Sequence, residues 1–191
     1  MAHDDTPPPP RGRRHPPRLV VAVTVAVASL WLLLDQATKV LAIALLEDPG
    51  RVTDLGVMDL RVIRNPGGAF GFPGFPGLFL AVTVVVLVLV VRALPKTDGL
   101  GLAAAYGLVC GGAVGNVADR LFRDPGFPAG HVVDFFDLRW WPVFNVADAG
   151  IVTGALSIAV LLTQADRAER AAQQRAAATP SVRPETSIPR R

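Results

Sequence analysis

From Leu19 to Leu46 the chain is almost wholly apolar and carries only two ionisable side chains, Asp35 and Lys39. A run of that length can cross the roughly 30 Å of a bilayer's hydrocarbon core, which needs about 20 residues. A cleaved signal peptide does not fit. The run is too long, it holds internal charges, and Leu45-Leu46-Glu47 lacks the small residues of a cleavage site.

Three further apolar runs follow, at about Leu78–Leu94, Gly99–Leu121 and Val143–Thr163. In water the β-branched stretch Val82–Val91 would suggest a strand. In lipid the backbone must bond internally, so a helix is favoured. The third run is rich in glycine and alanine, which lets membrane helices approach closely. Charged residues make up only 18% of the chain, against about 25% in soluble proteins, which argues against a soluble enzyme.

The formal net charge is +3, but the arginines do not form a nucleic-acid patch. Many sit in the tails: Arg11, Arg13, Arg14 and Arg18 at one end, Arg167, Arg170, Arg175, Arg183, Arg190 and Arg191 at the other. Four spans put both tails on one side of a membrane, and the basic bias makes that side cytoplasmic. The expected fold is mainly α, with four transmembrane helices and a small extracytoplasmic β-containing segment. Residues 47–76 carry its alternating short strands and a Gly/Pro turn. The organisation expected is a disordered cytoplasmic tail at 1–18, a membrane domain at 19–163, and a C-terminal cytoplasmic tail without structure at 164–191.

Ionisable residues inside spans are costly and are candidates for function. Asp35 and Lys39 stand i,i+4 and can pair. Asn65-Pro66-Gly67-Gly68 makes a turn into the second span. Asn116, Asp119 and Arg120 point one way at the end of the third, where Asp119 can pair with Arg120 or Arg123. Asp134 lies in Val133-Asp134-Phe135, where an apolar setting would raise its pKa. Asn145 and Asp148 share a face at the start of the fourth span. The single cysteine, Cys110, sits in an apolar run, and the three histidines lack ligand spacing, so neither a metal nor another cofactor is expected.

Asp134 and Asp148 would both lie near the outer interface, joined by a short loop. Two close carboxylates do not easily both ionise, so one keeps a proton. Such a pair can take a proton from water while the partner donates to a peptide carbonyl, which is aspartic protease chemistry. A proton-coupled transporter would instead spread its carboxylates over several depths. A purely structural scaffold would leave many buried polar groups without a use.

In these motifs the chain resembles the lipoprotein signal peptidases, the type II signal peptidases of bacteria. The motifs are Asp35-Gln36…Lys39, Asn65…Gly68-Ala69-Phe70-Gly71, Gly112…Gly115-Asn116…Asp119-Arg120, Val133-Asp134-Phe135 and Phe144-Asn145…Ala147-Asp148. The family usually has alanine where Gly68 stands, and the 121–131 stretch is longer than usual. The resemblance implies a four-helix intramembrane aspartic endopeptidase that cuts prolipoproteins before a diacylglyceryl-modified cysteine. It implies Asp134 and Asp148 as the catalytic pair, Asn65, Asn116, Arg120 and Asn145 as substrate-binding residues, and Asp35, Lys39, Gly68 and Asp119 as support. The expected setting is the bacterial inner or plasma membrane, with lipidated prolipoproteins and membrane lipid as partners, no nucleic acid or metal, the active site near the outer face, and a monomer.

Overall fold

Apolar segments that cannot bond to water must satisfy their backbones internally, and all four apolar runs are helical in the computed structural model, which describes residues 15–48, 51–67, 76–127 and 129–178. The helices are α1 (Pro17–Leu46), α2 (Pro76–Ala93), α3 (Leu100–Phe122) and α4 (Val146–Ala178), with a 3₁₀ turn at Leu94–Lys96. The strands are β1 (Thr53–Asp54), β2 (Asp59–Asn65) and β3 (Val132–Asp137). By length and composition α1, α3 and α4 are each apolar enough to cross a membrane, and α2 is the shortest of the four at 18 residues.

Two boundaries differ from expectation. Val143 and Phe144 precede α4 rather than opening it, because Phe144 bridges to Phe136. Residues 164–178, expected to be without structure, continue α4 to Ala178. Alanine and arginine are strong helix formers, and the α4 ladder is already nucleated when the chain reaches them. Gly68 and most of the Gly/Pro turn lie outside the described residues.

α3 is the central helix and packs on α1, α4 and α2. Its small residues set the spacing. A Cβ at Gly111 would lie 2.5 Å from the Ala28 carbonyl oxygen of α1, and one at Gly107 would lie 2.8 Å from that of Thr24. Gly154 of α4 stands as close to α3, where a Cβ would be 2.7 Å from the Ala105 oxygen. The Thr24 hydroxyl lies 3.0 Å from the Ala103 carbonyl oxygen, a polar tie across the α1–α3 seam. Away from these seams Val25, Leu30, Leu33, Val40, Leu89, Val91, Leu156 and Val160 are exposed, as side chains facing lipid would be.

The strands form one antiparallel sheet in the order β1-β2-β3, with Ile63 opposite Asp134 and Asn65 opposite Val132. It lies over the α1 C-terminus, where Val133 and Phe135 pack with Ala42, Ile43, Leu46, Val62 and Val146. Arg64 pairs with Glu47 at the end of α1. At the far end Arg139, with φ 66°, bonds to Asp59 at 2.6 Å and to Asp54 at 2.8 Å. Those hydrogen bonds hold the Asp59 carboxyl below its usual range. At the opposite end of the molecule the N–H of His15 donates to the Asp98 carbonyl at 3.2 Å. The start of α1 and the α2–α3 connection thus share one end, and the sheet lies at the other.

Candidate active site

β3 and the start of α4 are held together by the strand's own return. Phe144 accepts from the N–H groups of Phe135 and Phe136 at 3.0 and 2.9 Å and donates to Phe136 at 3.0 Å. The next residue, Asn145, is therefore placed beside Asp134 and also caps α4. Its side-chain oxygen accepts the N–H of Asp148 at 2.9 Å, and Asp148 Oδ2 accepts the N–H of Asn145 at 3.2 Å. That reciprocal pair is a capping box, with aspartate in the place more often filled by glutamate.

The amide nitrogen of Asn145 has two hydrogens and uses both. It donates to Asp134 Oδ1 at 2.7 Å and to Asn116 Oδ1 at 3.1 Å. Asn116 Nδ2 in turn donates to Asp148 Oδ1 at 2.8 Å. Asn65, at the end of β2, donates to Asp134 Oδ2 at 3.0 Å. The two aspartates and three asparagines singled out in the sequence thus meet in one network. The asparagines were expected to hold substrate; here each bonds a carboxylate of the pair.

Asp134 is buried. Burial and the nearby charge of Asp148 push its carboxyl up to about 7, against the pull of Asn65, Asn145 and Lys39. Asp148 is partly buried, less completely covered than Asp134. Arg120, buried on α3, lies within electrostatic reach of Asp134, Asp119 and Asp148.

A second cluster lies directly beneath. Lys39 is fully buried and pairs with Asp35 at 2.9 Å and Asp119 at 2.8 Å. The expected Asp35–Lys39 pair is present, and Asp119 pairs with Arg123 at 2.5 Å as well as with Lys39. Each of these carboxylates also reaches the backbone just before a member of the pair. Asp35 Oδ1 accepts the N–H of Ala147 at 2.8 Å, and Asp119 Oδ2 accepts that of Val133 at 3.2 Å.

This constellation has known counterparts. Residues 27–164 match the model of the signal peptidase II family. The chain belongs to that family. The lipoprotein signal peptidase of Rhodococcus jostii is 46% identical over 156 residues, 80% of this chain and 77% of that one. That of Streptomyces coelicolor is 41% identical over 153 residues, 79% and 72% of the two chains. A bacterial membrane enzyme solved by the in meso method superposes with a TM-score of 0.65 at 27% identity, covering 75% of this chain and 89% of that one. Membership makes the chain a protease, and its apolar helices make it a multi-pass membrane protein.

Two residues that sequence reasoning gave no role also hold this candidate site together. Gln36 donates to Asp35 at 3.1 Å, to the Gly115 carbonyl at 3.1 Å and to Asp119 at 3.3 Å. Trp31 Nε1 donates to the Val146 carbonyl at 3.0 Å, tying α1 to the first turn of α4. Trp31 stands one turn before Asp35, which is the sequence signal that it shares that face.

Proposed function

We propose that Asp134 and Asp148 are the catalytic pair of this peptidase, and that they activate a water to cut a prolipoprotein just before its diacylglyceryl cysteine. The observation that carries the reading is Asn145, one residue bonded to both carboxylates. The pair shares one proton, with Asp134 as the donor and Asp148 as the base. Asp148 takes a proton from water as its oxygen attacks the scissile carbonyl carbon. Asp134 gives its proton to the carbonyl oxygen, which yields a neutral tetrahedral diol. Collapse re-forms the carbonyl as Asp134 takes back a hydroxyl proton, breaks the C–N bond and passes the proton held by Asp148 to the leaving amine.

The remaining assignments follow from placement. Arg120, beside the pair, makes directed bonds to a peptide carbonyl or a headgroup oxygen. Asn65, Asn116 and Asn145, each bonded to a carboxylate of the pair, line the place that the scissile peptide must reach. The acyl chains of the substrate stay among the lipid-facing helix surfaces. Both termini are cytoplasmic and the sheet end faces outward, which agrees with the arginines of the tails.

The deciding experiment is cleavage of a lipidated prolipoprotein by purified wild type, Asp134→Asn and Asp148→Asn. Both variants should be inserted and folded yet inactive, since asparagine is nearly isosteric but cannot exchange the proton. Substantial turnover by either one overturns the assignment.

A further inference from the structure

The three hydrogens of the Lys39 ammonium are all accounted for: Asp35 Oδ2 at 2.9 Å, Asp119 Oδ2 at 2.8 Å and Asn116 Oδ1 at 3.0 Å. An ammonium donates and never accepts. Asn116 must therefore turn its oxygen toward Lys39, which leaves its nitrogen facing Asp148 Oδ1 at 2.8 Å. The reversed amide would set a donor against the ammonium and an oxygen against a carboxylate.

The constraint passes on. Asn116 Oδ1, already fixed, accepts from Asn145 Nδ2 at 3.1 Å, so the second hydrogen of that amide points to Asp134 Oδ1 at 2.7 Å. The Asn116 orientation thus traces back to one buried cation on α1, and that of Asn145 is held jointly by Asn116 and by the Asp148 N–H that its oxygen accepts.

We infer that Lys39 is a positioning residue that orients the amide of Asn116 and so fixes the donor that Asp148 receives, while supporting the Asn145 amide that bonds Asp134. This rests on those two aspartates being the catalytic pair. The charged groups around Lys39 are Asp35 on α1 and Asp119 on α3, the latter shared with Arg123. Asp134 on β3 and Asp148 on α4 lie within its electrostatic reach, and Arg120 on α3 lies within theirs.

Freed of Lys39, Asn116 is able to turn and offer Asp148 an oxygen instead of an N–H. The ionised form of the pair then loses a donor. The acid limb of the pH–kcat profile moves to higher pH and kcat falls, while substrate binding is little changed. A role in stability alone would lower Tm and yield without moving the profile.

The test is the variant Lys39→Met with Asp35→Asn, which removes a cation and an anion together and keeps an oxygen for the Ala147 N–H. The purified enzyme is assayed on lipidated prolipoprotein across pH, beside Asp134→Asn and Asp148→Asn. The expected result is a fall in kcat of about tenfold or more, KM within about twofold, and an acid limb raised by at least about half a pH unit. If the double variant does not fold, Lys39→Gln carries the same test, because glutamine can present either end of its amide to Asn116. A wild-type profile with kcat within about twofold, while Asp134→Asn and Asp148→Asn are dead, overturns the role of Lys39. Activity in Asp134→Asn or Asp148→Asn overturns the catalytic pair itself.

Discussion

Asp35 Oδ1 holds the backbone N–H of Ala147 at 2.8 Å, across 112 residues of chain, and so fixes the residue immediately before Asp148. The same carboxylate neutralises buried Lys39. Asp35→Ala removes both functions and leaves Lys39 with Asp119 as its one remaining carboxylate partner among those described. Breaking a buried pair from one side should cost about 3 kcal/mol. Asp35→Asn keeps an acceptor for Ala147 and should cost less. Thermal unfolding of the two purified variants in one detergent checks the order, and equal Tm values would show that the Ala147 bond contributes nothing.

Activity should fall as pH rises above neutrality. Asp134, raised to about 7 by burial and by Asp148, must hold a proton to donate it to the scissile carbonyl oxygen. The kcat/KM profile should therefore show an alkaline limb with an apparent pKa near that value, belonging to the pair as a whole. A flat profile up to pH 9 would exclude a protonated Asp134 from the reaction.

Stability should follow the same group. A carboxyl whose folded pKa is raised lends stability that is fully present below its unfolded pKa, near 4. That contribution is lost as pH rises through about 7. Relative to Asp134→Asn, wild type should lose a few kcal/mol between pH 4 and pH 8. Paired thermal melts across that range measure it, and a constant difference would contradict the shift.

Gly111→Ala should push α1 from α3, since the new Cβ would lie 2.5 Å from the Ala28 oxygen, a backbone atom with little room to yield. Overpacking of this kind costs roughly 1–3 kcal/mol. Activity should fall with it, because Asp35 and Lys39 ride on the displaced helix. Wild-type Tm and turnover would show that the seam is looser than the structure has it.

Lipid on the substrate should matter more for capture than for chemistry. Each buried CH₂ contributes about 0.8 kcal/mol, so an unlipidated precursor should show a much lower kcat/KM. Equal values for the two precursors would place the acyl chains outside the binding site.

The helices were legible because lipid leaves an apolar run one way to satisfy its backbone, and β2 because Leu60, Val62 and Ile63 sit among charges in partial alternation. Asp134, Asp148, Asn65, Asn116 and Asn145 could be singled out as polar residues at the ends of apolar runs. Their bonding could not. Nothing local to Asn145 says that one amide reaches both Asp134 and Asn116, since that depends on Phe144 folding back on Phe136. Asp119 showed the same limit. Arg123, one turn away, was visible as its partner, whereas Lys39, on another helix, was not.

α4 does not stop where its apolar stretch does. Past Thr163 the helix runs on to Ala178, and at 1.5 Å per residue it projects about 22 Å further. The described side chains of this stretch, Asp166, Arg167, Glu169, Arg170 and Arg175 among them, are exposed. Its described charges fall on several sides of the helix, and the face between them is alanine, too small to anchor in a bilayer surface. Ala178 is thus set off from the apolar part of the bundle on a helical rod whose direction is that of α4 itself.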